Sequence, residues 1–561
     1  MFVTALSHPF FSLYHDSSCP LAKTKEMNIM KKFCLLISIL ISINCGLTQG
    51  NWVWKNGSDT PGAPSDFGVM GVPSPTNQPG ARYQCAEWTD LDGNFWVYGG
   101  GMTLVMESDL WKFNPNTEEW TFMHGDVITN APAVYGTKGV SDPANTPGGL
   151  GYCPASWTDQ TGNLWLYGGL HPGAGVSPLL WKYDVTINEW TWVQGDTLPG
   201  IVPVYGTLGV SSPTNTPGPR TETSCTWVGE DGNLWLFGGS ILGAGDTRND
   251  LWKYDIGTNE WTWMTGSDTF TAPGVYGTLG VPAPGNTPGA RWCYSSWTDT
   301  NGDFWLFGGI DASTMIIFGK YNDLWKYDVS ENEWTWMRGS DEINPAGNYG
   351  TQCTSSDANN PPGRGESRAR WTDDCGNFWV FGGLNAFGDY LNDLWRYNPT
   401  INEWTWVHGS DSPTAVGVYG ILGVPSPTNV PGARMGSVGW SNEKGLWLFG
   451  GDEVGQINDL WLYADTINAD FLIDSTAECD EFNFIDQSTT GCDSIGSYSW
   501  NFGDPSSGSL NIDSIQNPNH IFSSNGSFLV TLIVQNCAGG TDTTSQIVLV
   551  DCGFSISLEN D

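Results

Sequence analysis

The chain has 561 residues, enough for about two to four domains by size. Its formal net charge of −38, from 60 acidic and 22 basic side chains, argues against a nucleic-acid partner, whose phosphates would be repelled. The 31 Trp and 72 Gly residues instead indicate a β-rich, turn-rich protein with large apolar side chains in its interior.

The first 50 residues are predicted to be an N-terminal extension and an export signal. A basic pair precedes the apolar run of residues 33–43, which is too short to cross a bilayer. We expect translation to start at Met27 or Met30 and cleavage to fall between residues 46 and 51, with lipid attachment at Cys45 as the alternative. The mature protein is therefore expected to be secreted or on the outer cell surface and not to span the membrane.

From residue 51 onward a unit of roughly 70 residues recurs six times. Each unit contains an alternating apolar strand that ends in Gly-Gly, such as LWLFGG at residues 234–239. A second strand (NDLWKYD, 249–255) and a third (NEWTWM, 259–264) follow it. A further strand upstream ends in Trp in every unit, at Trp88, Trp157, Trp227, Trp297, Trp371 and Trp440. Each repeat thus predicts four strands, which need neighbours of the same kind to bury both faces.

These motifs resemble kelch repeats over about residues 51–465. The resemblance implies an all-β fold in which residues 51–466 form a six-bladed β-propeller. The sixth repeat lacks its Trp-Thr-Trp strand, whereas residues 51–59 (NWVWKNGSD) copy that strand. We therefore predict that Trp52 and Trp54 pair beside residues 460–463, which closes the ring and removes its open edges.

Residues 467–552 have a different composition, with strands rich in Thr, Val and Ile. The segments SWNFGD (499–504) and NPNHIF (517–522) resemble motifs of polycystic-kidney-disease (PKD) domains, although Asn501 replaces the usual Asp. The resemblance implies a C-terminal immunoglobulin-like β-sandwich, with residues 553–561 as a tail. Such domains are spacers, or contact glycans and proteins, on secreted bacterial proteins, and the source implied here is a Bacteroidetes-like bacterium.

The cysteines allow several disulfides in a secreted protein. Cys353 and Cys375 occur only in the fifth repeat, so a bridge between them is possible. Cysteines in the PKD-like region permit three pairings. An immunoglobulin-like strand order implies Cys492–Cys537 at one end of the sandwich and Cys479–Cys552 at the other, because a strand exceeds the reach of a disulfide. The inner-strand cysteines Cys85, Cys153, Cys225 and Cys293 are interpreted as small buried thiols.

Arginines are the candidate ligand-binding residues. Most begin an inner strand just after a Pro-Gly segment, and inner strands of a propeller line its axis. Some kelch propellers hold acidic ligands there through bidentate contacts, so we expect a ring of guanidinium groups at the channel mouth. The alternative is that each Arg pairs with an Asp or a carbonyl group of a neighbouring blade. The candidates are Arg82, Arg220, Arg291, Arg364, Arg368, Arg370 and Arg434.

No catalytic or metal-ligating residue is assigned from the sequence, and no cofactor is expected. The kelch enzyme galactose oxidase needs two His and two Tyr at its copper, which the few histidines here do not match. A weak alternative is Ca²⁺ at Asp90 and Asp92, in a turn that is otherwise interpreted as an Asp-capped hairpin.

The sequence therefore favours a non-catalytic recognition protein that binds an extracellular glycan or protein. Binding is expected on the face that carries the long Pro- and Gly-rich loops, such as residues 277–291. Glu222, Glu366 and the arginines of the fifth repeat break the repeat symmetry near the axis. They leave a carbohydrate-active enzyme, oxidase-like or mutarotase-like, as the alternative.

Overall fold

The computed structural model describes residues 50–101, 105–197, 201–223, 226–241, 246–311, 319–464, 467–490, 494–537 and 540–553. Six four-stranded antiparallel sheets form the blades of a propeller, and a sandwich of two sheets follows them. The predicted export signal, Cys45, Cys225, Cys492 and nearly all of the expected tail lie outside the described residues. Among the described residues, no helix is both long enough and apolar enough to cross a bilayer.

Each blade orders its strands from the axis outward. The inner strands are Ala86–Thr89, Ala155–Thr158, Thr226–Val228, Ser295–Thr298, Arg370–Thr372 and Val438–Asn442. The second strands are Phe95–Tyr98, Leu164–Tyr167, Leu234–Ser240, Phe304–Asp311, Phe378–Leu384 and Gly445–Asp452. The third strands are Asp109–Asn114, Leu180–Asp184, Thr247–Asp255, Gly319–Asp328, Tyr390–Asn398 and Gln456–Ala464. The outer strands are Glu119–Gly125, Glu189–Gln194, Glu260–Thr265, Glu333–Arg338, Glu403–His408 and, for blade six, Asn51–Asn56.

Aromatic side chains on the alternating strands join neighbouring blades. The ring of Trp227 stacks on Phe304 of the next blade, with 4.9 Å between ring centroids. The indole N–H of Trp227 donates to the carbonyl oxygen of Trp297 at 2.9 Å, so the same side chain also satisfies a polar group across the interface. Because neighbouring blades bury these rings between them, a blade is not stable as a separate unit.

The N-terminal strand closes the ring, as the sequence predicts. Trp52 pairs with Tyr463 and Trp54 with Trp461, in an antiparallel register beside the third strand of blade six. Trp52 is fully buried and packs against Phe381 of blade five at 5.6 Å between ring centroids. Residues 51–56 thus complete the last blade of the propeller.

The long Pro- and Gly-rich segments do not project from one face of the propeller as loops. The middle of each runs back along the outer strand of the blade that follows it, as the bridge from Ser74 to Trp120 in blade one illustrates. Asn77 in that segment donates to the carbonyl oxygen of Trp120 at 3.1 Å. The segments therefore satisfy backbone groups at the exposed outer edges.

Two faces of the propeller differ in their connections. The turn face carries the hairpin turns between inner and second strands, and the loop face carries the connections between second and third strands. In blade two the latter connection is a small hairpin, Leu170–His171 paired with Gly175–Val176.

The C-terminal sandwich packs a three-stranded sheet against a four-stranded one. The first contains Phe471–Ser475, Glu481–Asp486 and Asn519–Ile521, and the second contains Ile512–Asp513, Ile495–Asn501, Gly526–Asn536 and Thr541–Val550. A short pair, Ile467–Asn468 and Thr489–Thr490, and the 3₁₀ helix Pro505–Asn511 complete it. Trp500 and Phe484 lie at its core.

The disulfides match the expected pattern only in part. Cys479 is bonded to Cys552, as expected, with 5.3 Å between Cα atoms. Cys375 is bonded to Cys537, which corrects the expected pairs Cys353–Cys375 and Cys492–Cys537. The reason is that Cys375 lies in a turn on the turn face of blade five, where the N–H of Asp374 also donates to the carbonyl oxygen of Cys537. The sandwich is thus tied covalently to the propeller, and Cys353 forms its disulfide elsewhere.

Replacing Trp52 by Ala should destabilise the propeller through the cavity left between blades five and six. We expect a loss of about 3–5 kcal/mol in the free energy of unfolding, measured by denaturant titration of the full chain. Trp54→Ala is the matched control: Trp54 is only half-buried, so its loss should be clearly smaller. Equal effects of the two substitutions would contradict the closure by a buried strand.

Peptide mapping of the full chain without reduction should recover Cys375 joined to Cys537 and Cys479 joined to Cys552. Both links should disappear after reduction. Recovery of Cys492 joined to Cys537 would show that the sandwich is not tied to blade five in this way.

Candidate functional site

Five of the seven candidate arginines are buried within their own blades and form ion pairs with the Asp that begins the DLW motif of the third strand. In blade four, Nη1 and Nη2 of Arg291 donate to the two carboxylate oxygens of Asp323 at 2.5 and 2.7 Å. We call these contacts the blade ion pairs. They are Arg82–Asp109, Arg220–Asp250, Arg291–Asp323, Arg364–Asp393 and Arg434–Asp459.

Each blade ion pair has further hydrogen bonds that use its remaining polar atoms. Arg291 also donates to the carbonyl oxygen of Gly308 in the Gly-Gly corner at 2.8 Å. Asp323 accepts from the indole N–H of Trp325 at 2.8 Å and from the hydroxyl of Tyr276 at 2.7 Å. In the pair of blade three, burial alone would raise the pKa of Asp250, but the charge and hydrogen bonds of Arg220, together with the indole N–H of Trp252 and the charge of Arg248, lower that pKa.

The expected ring of ligand-binding guanidinium groups is therefore corrected for these five arginines. Each guanidinium group is buried and donates to both a carboxylate and at least one carbonyl group, so these arginines are held inside their blades and do not face the channel. The alternative of a structural Arg–Asp pair is right in kind, but the Asp belongs to the same blade and not to a neighbouring one.

Blade two departs from this pattern and contains a pocket. Leu150 occupies the position of the arginine and Leu179 that of the aspartate, since Gly100 donates to the carbonyl oxygen of Leu150 as Gly239 does to that of Arg291. Both leucines line a cavity of about 530 Å³ on the loop face, a size typical of ligand pockets. Its other walls come from the blade-two hairpin, the segments around Pro147 and Thr197, and the edge of blade three.

Replacement of the ion pair leaves polar groups at this pocket without their usual partner. In blade four the hydroxyl of Tyr276 and the indole N–H of Trp325 both donate to Asp323. The side chains at the same positions of blade two, Tyr135 and Trp181, pack in one cluster with Leu179, and their hydroxyl and indole N–H have no hydrogen bond within the described residues. His171 lines the same cavity, and its buried Nε2 has no partner in the described part of the chain. Burial lowers the pKa of His171, which favours the neutral ring with Nε2 as an acceptor.

A second candidate site lies on the propeller axis, two residues after the arginine position in five blades and three residues after it, at Cys153, in blade two. The backbones of these six residues form a nearly closed ring of hydrogen bonds: for example, the N–H of Cys293 donates to the carbonyl oxygen of Glu222, and the N–H of Glu366 to that of Cys293. All six have a left-handed φ between 50° and 64°. We call them the axial ring, and they are Gln84, Cys153, Glu222, Cys293, Glu366 and Gly436.

Four side chains of the axial ring converge on one point. One sulfur or oxygen atom from each of Cys153, Glu222, Cys293 and Glu366 lies within 4.8 Å of the others, and all four residues are buried. The thiol of Cys293 donates to Glu222 at 2.8 Å. Burial and then the nearby charge of Glu366 raise the pKa of Glu222 to about 8. Sequence reasoning singled out the two Glu but interpreted the Cys as packing thiols.

Arg368 and Arg370 lie beside the axis, and they too donate hydrogen bonds to protein groups. Arg368 reaches from blade five to blade one, where it donates to the carbonyl oxygen of Cys85 and to Glu87, both at 2.7 Å. Arg370 donates to the other oxygen of Glu87 at 3.1 Å. Arg370 and Glu87 line a cavity of about 330 Å³, walled by inner-strand Trp residues, where the axial channel meets the turn face.

Asp90, one of the two turn aspartates considered for Ca²⁺, has protein partners. Asp90 accepts hydrogen bonds from the backbone N–H groups of Asp92 and Asn94 and from the indole of Trp96 at 2.8–3.0 Å. A cation at Asp90 would have to displace these donors, so the carboxylate serves as a turn cap.

Comparison with known proteins identifies two segments of the chain. Residues 375–405 match the Kelch motif, and residues 467–550 match the PKD domain. The chain carries a Kelch motif and a PKD domain. With its six four-stranded sheets, it is a Kelch-type propeller followed by an immunoglobulin-like PKD domain.

Several Kelch proteins are similar to this chain. Kelch domain-containing protein 1 of Mus musculus is 25% identical over 336 residues, which are 56% of this chain and 66% of that protein. Kelch domain-containing protein 3 of Bos taurus is 24% identical over 248 residues, which are 43% of this chain and 50% of that protein. The human protein of the same name is 25% identical over 253 residues. The chain thus spans between half and two thirds of the length of these relatives.

Replacing Arg291 by Met should destabilise the propeller, because it leaves the carboxylate of Asp323 buried without its cation. We expect a loss of about 3–5 kcal/mol in the free energy of unfolding. The double variant Arg291→Met/Asp323→Leu should recover a large part of this loss, since it removes both buried charges. If Arg291→Met melted like the unmodified chain, the guanidinium would be free for another role.

Proposed function

We propose that the chain is a secreted or cell-surface recognition protein, without catalytic activity, that binds an extracellular partner protein. The partner would contact the loop face and insert one side chain or a short segment into the blade-two pocket. The sandwich, tied to the opposite turn face through Cys375 and Cys537, would leave the loop face accessible.

The observation that carries this proposal is the loss of the blade ion pair in blade two. A buried Arg–Asp pair in the other five blades fills the space that Leu150 and Leu179 leave open beside Tyr135 and Trp181. The result is an apolar cavity with a few convergent polar groups, which is the usual composition of a ligand site.

The lining favours a protein side chain over a sugar. Leu150, Leu179 and Ile201 offer apolar contact, while the Tyr135 hydroxyl, the Trp181 indole N–H and the His171 Nε2 offer directed hydrogen bonds. Trp181 is only 3% exposed, so its ring face is not available to stack on a sugar ring. A glycan remains the second candidate, because the same three polar groups could bind hydroxyl groups.

An extracellular location is supported by the disulfides. Cys375–Cys537 and Cys479–Cys552 would not persist in a reducing cytosol. PKD domains are often extracellular, which agrees with the predicted export signal.

The proposal is tested by refilling the pocket with the ion pair of the other blades. The full chain is first screened against a phage-displayed library of random peptides and against a glycan array. We expect peptides that share an apolar or aromatic residue. The double variant Leu150→Arg/Leu179→Asp should then keep or raise the melting temperature while weakening peptide binding by more than about tenfold, which corresponds to about 1.4 kcal/mol.

The matched control is a charge placed next to the pocket but outside it. Ile201 lines the pocket, whereas its neighbour Val202 is 67% exposed and does not. Ile201→Glu should weaken binding and Val202→Glu should not. Unchanged binding by the double variant would refute the pocket, a glycan displaced by that variant would change the class of partner, and turnover of a bound glycan would favour the enzyme alternative.

A further inference from the structure

We propose that the axial ring binds one zinc ion through Cys153, Glu222, Cys293 and Glu366, and that this ion joins blades two, three, four and five at the axis. The site is separate from the blade-two pocket, and the proposal is independent of the partner that the pocket receives.

The spacing of the four side chains suits a tetrahedral ion. With zinc–sulfur bonds of about 2.3 Å and zinc–oxygen bonds of about 2.1 Å, ligand atoms of a tetrahedral site lie about 3.4–3.8 Å apart. The four ligand atoms here lie within 4.8 Å of one another, and Cys293 Sγ lies 2.8 Å from Glu222 Oε2. Small side-chain rotations would therefore bring all four into a zinc coordination sphere.

The cluster has an excess of acceptors that a cation would satisfy. Gln84, which is 3% exposed, donates its amide N–H groups to Glu222 and Glu366 at 3.0–3.3 Å, yet its own buried Oε1 has no partner within the described residues. The nearby Arg368 is directed toward Cys85 and Glu87. Charging both buried carboxyl groups side by side is costly, and a metal cation held between them would offset that cost.

The donor set selects zinc among common divalent ions. Calcium and magnesium prefer oxygen ligands alone, whereas zinc accepts cysteine sulfur together with carboxylate oxygen. Four protein ligands with no open position are typical of a structural site. On binding, the two thiols, which are free in this structure, would release their protons and become thiolates.

The test measures metal in the intact protein. The full chain is secreted into zinc-containing medium and purified without chelator, and its metals are measured by mass spectrometry. We expect about one zinc per chain, as for a closed structural site. Exchange with Co²⁺ should give thiolate-to-cobalt charge-transfer absorption and the visible bands of a tetrahedral site. Strong chelators should lower the melting temperature by several degrees.

Variants test whether zinc binding requires the four side chains of this site or only a free thiol. Cys153→Ala/Cys293→Ala should lose the zinc, whereas Cys85→Ala, which removes another buried inner-strand thiol outside the cluster, should retain it. Glu222→Gln preserves the shape of the side chain, and the variant should also lose zinc. Its near-ultraviolet circular dichroism spectrum should remain that of the folded protein. If the cysteine variant fails to fold, the metal content and the Co²⁺ spectrum of the unmodified chain still decide the question.

Two results would overturn the proposal. One is recovery of a Cys153–Cys293 disulfide by peptide mapping without reduction. The other is a protein whose two thiols are fully alkylated after unfolding but which contains no zinc and takes up none when zinc is supplied to the native chain.

Discussion

The buried arginine–aspartate pair connects three parts of a blade that are distant in sequence. Arg291 enters from the start of the inner strand, binds the Gly-Gly corner through the carbonyl oxygen of Gly308, and holds Asp323 of the third strand. A buried ion pair adds little stability by itself, because desolvation offsets much of the attraction. Its value here is positional: it fixes where the inner strand begins, and therefore where Cys293, two residues later, meets the axis.

Blade two shows what the pair excludes in the other blades. Once Leu150 and Leu179 replace the charged partners, the Tyr135 hydroxyl and the Trp181 indole lose their common acceptor. The two leucines occupy less of the loop-face corner than an arginine with its aspartate, so a cavity opens there. A paired change at two repeat positions thus alters three properties together: charge, volume and the number of unpartnered hydrogen-bonding groups.

The sequence predicted the architecture well because the repeat pattern carries it. Gly-Gly corners, alternating aromatic strands and the N-terminal copy of an outer strand suffice to place six four-stranded blades and the pairing of Trp52 with blade six. The direction of the arginine side chains was not predictable in the same way. An arginine after Pro-Gly can point to the channel or into the blade, and only the structure places Arg291 against Asp323. The bridge from Cys375 to Cys537 was missed because strand order within a sandwich says nothing about contacts between domains. The signal for the axial cluster was present, but it requires aligning one position from every repeat and allowing for one extra residue in blade two, where Cys153 comes three residues after Leu150.

That aligned position also bears on why the axial side chains are there. The axial ring needs a left-handed backbone at each member, a conformation that glycine adopts without cost and that other residues adopt at a cost of about 1–3 kcal/mol. Gly436 follows this preference, whereas Gln84, Cys153, Glu222, Cys293 and Glu366 do not. The hydrogen bonds of the ring use only backbone atoms, so they give no reason why five of its positions carry a side chain at the cost of a strained backbone. Their convergence on one buried point supplies a reason: the strain is offset if those side chains bind something that the backbone alone cannot.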